Sequence, residues 1–174
     1  ATYPTSYIPT YGVSQTRLAD VCINAGNAST FNSTEGVLYL ETSALAEGGS
    51  NRVIRISDGG GNTNAIEFRY APDGHLYYDV WVGGVSQFSG YYTSFTQKNT
   101  NKIAIKWKAN DFALWINGTE IATDLNGSTF PANTLNNLSF SRGSQFFFNG
   151  NVNQTLVFPT ALTDSECIEL TTIS

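Results

Sequence analysis

The chain has 174 residues, of which 41% are hydrophobic and 13% aromatic, enough for one domain with a sizeable core. Charged residues make up only 13%, about half the usual share, so the surface must be covered largely by Asn, Ser, Thr, Gln and Gly. A net charge of −5, a pI near 4.7 and no run approaching ~18 apolar residues argue against a nucleic-acid binder and against membrane insertion.

The chain opens with "TSYIPTYGVSQTRLADVC" (5–22), which holds Pro9 just after Pro4. Prolines at these positions favour an extended arm and exclude helix. Residues 1–23 are expected to form such an arm, with "TRLADVCI" (16–23) entering a first strand, and residues 24–174 the domain proper. The sequence contains no Met, as expected of a processed product or a piece of a longer polypeptide, and no signal-peptide pattern is visible. Cys22 and Cys167 form neither a disulfide framework nor a zinc motif; a bond between them and two separate thiols both remain open. Six N-x-[ST] sequons occur, too few in so Asn-, Ser- and Thr-rich a chain to imply glycosylation.

From residue 36 onward, short alternating segments separated by turn residues predict an antiparallel two-sheet β-sandwich. "GVLYLETSA" (36–44) places Leu38 and Leu40 on one face and Val37 and Tyr39 on the other. "RVIRIS" (52–57) is a strand followed by the Gly-rich turn "DGGGN". Residues 65–82 read as a hairpin about Pro72-Asp73-Gly74, with "FSGYY" (88–92) on a loop beyond it. Residues 101–125 read as a three-stranded meander, turning at Ala109-Asn110-Asp111 and at Asn117-Gly118. In it Lys102, Lys106 and Lys108 alternate with Ile103, Ile105 and Trp107, the pattern of a solvated strand face. Strands at 137–143 and 151–158 follow. "TDSECIEL" (163–170) is the only helix, with Thr163 and Glu166 as a capping box and Cys167 and Leu170 facing inward.

This order of elements resembles the C-terminal half of the LamG-like, concanavalin A-like lectin/glucanase jelly rolls. The likeness is carried by Trp115-Ile116-Asn117-Gly118, then Gly150 and Val152, then Ala161-Leu162-Thr163 with Glu166. It spans roughly residues 36–172 and specifies architecture better than function. The stretch 5–22 and the closing "FPTALTDSECIELTT" are similar to segments of tailed-phage virion proteins that precede and end such a jelly roll. That resemblance implies a non-enzymatic virion structural or adhesion domain, reached by the arm from an upstream module. Its partners would be other virion proteins or copies of itself, as in a trimer, and a host surface glycan. The alternative is a carbohydrate-binding module of a secreted bacterial glycan-degrading protein.

Catalytic equipment is sparse. Retaining glycosidases of this fold resemble one another in an E-x-D-x-x-E strand that sets two carboxylates about 5 Å apart, and no such triplet occurs. His75 is the only histidine, and neither a nucleophile elbow nor a P-loop is present. Asp58 and Asp73, both at turns, are the calcium candidates, though turn formation explains them as well. The best binding candidates come from face parity. In "HLYYDVWV", Tyr77, Asp79 and Trp81 share the face opposite Leu76, Tyr78 and Val80. Flat rings beside a carboxylate suit a sugar, whose C–H face stacks on the aromatics. Tyr91 or Tyr92 would add to this surface, and so would Trp115.

Overall fold

The computed structural model describes residues 12–13 and 22–173. The expected arm and the start of its strand therefore fall largely outside the described residues. Ten strands precede one helix: β1 (Glu35–Ala44), β2 (Arg52–Ser57), β3 (Ala65–Tyr70), β4 (Leu76–Val82), β5 (Val85–Tyr92), β6 (Asn101–Lys108), β7 (Phe112–Ile116), β8 (Thr119–Asp124), β9 (Asn137–Ser139), β10 (Gly150–Phe158) and α1 (Asp164–Thr171). They form two five-stranded antiparallel sheets, in the orders β10-β1-β6-β7-β8 and β5-β4-β3-β2-β9. The expected sandwich with one short C-terminal helix is what the chain forms. No helix of the described residues is long and apolar enough to cross a membrane.

Alternation decides which residues enter the core. Leu38 and Leu40 of β1, Ile54 and Ile56 of β2, Ile66, Phe68 and Tyr70 of β3, and Ile103, Ile105 and Trp107 of β6 fill the space between the sheets. Gly36 lies opposite Trp107 because only a hydrogen fits there. A Cβ at that position would stand 2.5 Å from the indole and 2.6 Å from the Phe158 carbonyl oxygen.

Two elements differ from the sequence reading. Residues 85–92 form a full strand, β5, rather than a loop. Gly83 and Gly84, both at positive φ, make the two-residue turn that folds it back on β4. Its alternation is hidden by Ser, Gln and Gly at half of its positions and by a bulge opposite Val80/Trp81. The lysine face of β6 is also not simply solvated, because α1 packs across it. Lys106 is buried, its ammonium 2.7 Å from Asp111 and 2.9 Å from Asp164, and it lies over the Trp115 ring. Burial alone would pull that ammonium down, but the two carboxylates lift it above its ordinary value.

The helix begins as its capping box predicts. Thr163 Oγ1 accepts from the Glu166 N–H, and the Glu166 carboxylate accepts from the Thr163 N–H at 2.8 Å. Cys167 and Thr171 are its buried residues, with Leu170 only partly covered. Cys167 packs with Val37, Ala104, Ala113 and Trp115 in a second, smaller core beneath α1. Both cysteines are free thiols, and burial pushes the Cys167 thiol up to about 11.

Trp115 is thus a packing residue of the helix-covered sheet. Trp115→Ala is expected to cost about 3–5 kcal/mol of stability, read as a lower urea midpoint.

Candidate functional site

The two sheets differ on their outer sides. Helix α1 covers part of the β10-β1-β6-β7-β8 sheet, whereas the β5-β4-β3-β2-β9 sheet carries its polar residues outward. Register places these residues in rows. One row runs Val53, Arg69, Tyr77, Tyr91. The next runs Ser139, Arg55, Glu67, Asp79, Ser89, and a third runs Ser57, Ala65, Trp81, Ser86. The structure therefore brings together Tyr77, Asp79, Trp81 and Tyr91, four of the residues singled out in the sequence. It does not bring the other two. Tyr92 lies opposite Leu76 and turns toward the core, stacked on Phe95. Trp115 is in the other sheet with no exposed surface.

The centre of this face is a charge cluster that sequence reasoning missed. Glu67 is 2% exposed, yet it is ionisable and sits among three guanidinium groups. Arg142, which follows β9, holds both of its oxygens: Nε donates to Oε2 at 2.9 Å and Nη2 donates to Oε1. Arg55 Nη1 and Arg69 Nε each lie 3.8 Å from the same carboxylate. A bidentate guanidinium–carboxylate pair is the geometry that makes such burial tolerable. Arg55 also donates through Nη2 to the carbonyls of Gly60 and Gly61, which ties the Gly-rich loop to the cluster. Burial holds the Arg55 guanidinium below its ordinary value, against the pull of Glu67. The Nε groups of Arg55 and Arg69 find no hydrogen-bond partner among the described residues.

Asp79 stands directly opposite Glu67, so two carboxylates do meet, across strands rather than along one. Burial first, and the Glu67 charge second, raise the Asp79 carboxyl above its usual range, while Arg69 and Arg142 pull the other way. Glu67 serves as the counter-ion of its arginines. Paired with Arg142 through both oxygens and 2% exposed, it is not presented to a substrate as a glycosidase nucleophile must be.

Beside the cluster lies an open cleft of about 480 Å³, bounded by Arg55, Ser57, Asn137, Ser139, Arg142 and the glycines of the 58–62 turn. At the opposite corner of the face, His75 stacks on Tyr91 with centroids 5.2 Å apart and planes 10° apart, and Tyr77 leans on the same ring at 5.6 Å. Arg69 covers Tyr77 at 4.4 Å. Asp73 braces this corner. Its carboxylate accepts from the His75 N–H at 3.0 Å and from the Tyr77 hydroxyl at 2.8 Å. The His75 N–H is the main cause that holds the Asp73 carboxyl below its ordinary range. Asp58 likewise serves its own turn, accepting from Gly60 N–H and Asn64 Nδ2. Both calcium candidates thus have turn-forming roles, and no group of three or more metal-ligating side chains converges among the described residues.

A family model described as the concanavalin A-like lectin/glucanases superfamily matches residues 38–167. The chain belongs to this superfamily. A comparison with curated proteins found no match. Among solved structures, the fold is similar to the carbohydrate-binding module CBM40 of the Ruminococcus gnavus IT-sialidase, bound to α2,3-sialyllactose. The TM-score is 0.70 at 17% identity, covering 89% of this chain and 96% of the module. It is also similar to the leech intramolecular trans-sialidase complexed with 2,7-anhydro-Neu5Ac. There the TM-score is 0.68 at 18% identity, covering 90% of this chain but 27% of that one. Sheep galectin-11 in complex with glycerol matches at a TM-score of 0.51 and 11% identity, covering 82% of this chain and all of the galectin. At these identities the likeness is one of fold. None of these three is a phage protein.

The raised Asp79 carboxyl gives a pH-dependent prediction. A carboxyl whose folded pKa lies above its unfolded value, near 3.8, favours folding only while protonated. That contribution is complete below the unfolded value and is lost as pH rises through the folded one. Asp79→Asn is therefore expected to be more stable than the parent at pH 7 and to lose that advantage below about pH 3.8. Urea unfolding of both proteins between pH 3 and pH 7 checks the crossover.

Proposed function

We propose that this chain is a non-catalytic carbohydrate-binding domain whose site is the outer face of the β5-β4-β3-β2-β9 sheet, and that its ligand is a glycan bearing a carboxylate sugar. The observation that carries this reading is the set of three arginines gathered about one glutamate beside an open cleft. Arg55, Arg69 and Arg142 are gathered about Glu67, with Asp79 and Asp58 as the further charges of the cluster. Arg55 and Arg142 both line the cleft, and Arg142 is the more exposed of the two. Guanidinium groups fixed in advance by a neighbouring carboxylate suit a planar anion, because little rotamer entropy is lost when it binds. Ser57, Ser139 and Asn137 border the same cleft with hydroxyl and amide groups suited to sugar hydroxyls. The sialosides in the similar structures are of this chemical class. The engaged state of Glu67 supports binding over hydrolysis.

The setting follows from the reading. A secreted carbohydrate-binding module accords with the sialidase modules to which the fold is similar. The virion setting rests on the resemblance of residues 5–22 and of the closing segment alone, and there the same face would meet a host glycan. Neighbouring genes for capsid and tail proteins, or for polysaccharide degradation, separate the two.

Calorimetric titration with 3′-sialyllactose and with lactose tests the ligand class. The domain is expected to bind the sialylated sugar and to discriminate against lactose by at least about tenfold, with affinity falling as salt rises. Arg142→Gln, checked for folding by thermal melting, is expected to weaken binding by about tenfold or more. Equal binding of the two sugars, or an unchanged Arg142→Gln affinity, would contradict the reading.

A further inference from the structure

The aromatic corner of the same face is distinct from the cleft but contiguous with it. Arg69 joins them: its Nε lies 3.8 Å from Glu67, and its guanidinium lies 4.4 Å over the Tyr77 ring. Tyr77 is thereby covered by a cation and leans on Tyr91, while His75 stacks against Tyr91. The three rings pack against one another, and Asp73 holds the Tyr77 ring by accepting from its hydroxyl while it also accepts from the His75 backbone N–H. Tyr91 nevertheless remains 60% exposed. A large ring that is ordered on one side and open on the other is a preformed stacking surface, because little side-chain freedom is left to lose when a ligand covers it.

Strand spacing and rise place Tyr91 about 16 Å from Arg55, three strands across and two residues along, roughly the span of a trisaccharide. One short oligosaccharide can therefore touch both corners at once. Resting on the reading of this face as an acidic-glycan site, we infer that Tyr91, braced by His75 and Tyr77, is a second subsite that stacks the C–H face of a neutral pyranose linked to the carboxylate sugar. A neutral ring fits this corner better than a second acidic one. Asp73 is about half exposed and keeps accepting capacity for a sugar hydroxyl, but it would repel a carboxylate. The consequence is selectivity for chain length: a sugar reaching only the cleft forgoes the stacking contact.

The test compares two probes, free sialic acid and 3′-sialyllactose, by calorimetry on the full chain. The parent protein is expected to prefer the trisaccharide over the monosaccharide. In Tyr91→Ala that preference is expected to fall about 3- to 10-fold, toward equality, whereas Tyr91→Trp keeps or enlarges it. Arg142→Gln weakens both probes together. Tyr91 is exposed, so both of its variants should fold, as circular dichroism can verify. A parent protein that binds the two probes equally, or a Tyr91→Ala preference equal to the parent's while Arg142→Gln weakens both, would overturn the second subsite and leave the acidic-sugar reading standing. Failure of both probes to bind the parent protein would overturn that reading, and the subsite with it.

Discussion

A β-strand presents alternate residues to opposite sides, and in a two-sheet sandwich only one side of each sheet can enter the shared core. What the other side meets sets the character of this domain. On the β10-β1-β6-β7-β8 sheet it meets α1, and the outward residues packed beneath the helix are small or apolar: Val37, Ala104, Ala113 and Trp115. Lys106, buried beside them, is matched by Asp111 and Asp164. On the β5-β4-β3-β2-β9 sheet no helix of the described residues packs, and the outward residues include Arg69, Asp79, Tyr77 and Trp81, with Arg55 and Glu67 buried among them. One sheet is therefore closed by packing, and the other is left with a charged, aromatic surface that has chemistry to offer a ligand.

The glutamate at the centre explains how that surface is held rigid. An isolated buried carboxylate would cost several kcal/mol, and Arg142 removes that cost by engaging both oxygens. The same pairing ties the segment after β9 to the middle of β3, and Arg55 extends the tie to the turn after β2. A surface rich in glycine and serine loops thus gains fixed donors. Preorganisation of this kind favours recognition, since the donors are aligned before a ligand arrives.

Much of this was legible in the sequence. The alternation of "HLYYDVWV" sorted β4 correctly into inner and outer faces, and Asn117-Gly118, Pro72-Asp73-Gly74 and the Thr163/Glu166 box marked their turns and helix start. Parity, however, says which face a residue occupies and not which sheet it belongs to. Trp115 shows the difference: it is out of phase with the core, as read, yet it lies under α1. The arginine cluster was hidden for a related reason. Glu67 and Arg142 are 75 residues apart in the chain, and only the fold makes them neighbours. A signal did exist, since Arg55, Glu67 and Arg69 stand at outward positions of strands whose inward positions include Ile54, Ile56, Ile66 and Phe68. Charges set into such strands need partners, and that need points to a cluster. Strand β5 escaped notice because its inward positions are Phe88, Gly90 and Tyr92, too uneven a series to show period two.

The central claim is that the open sheet, through its arginines, is where a glycan binds. Nuclear magnetic resonance of the ¹⁵N-labelled domain, following arginine side-chain Nε–H signals as 3′-sialyllactose is added, tests it most directly. The account predicts saturable shifts at Arg55, Arg69 and Arg142 and at the backbone of β3, β4 and β5, with the signals of α1 and Trp115 unmoved. Shifts concentrated on α1 and the β10-β1-β6-β7-β8 sheet, or no shifts at saturating sugar, would contradict it.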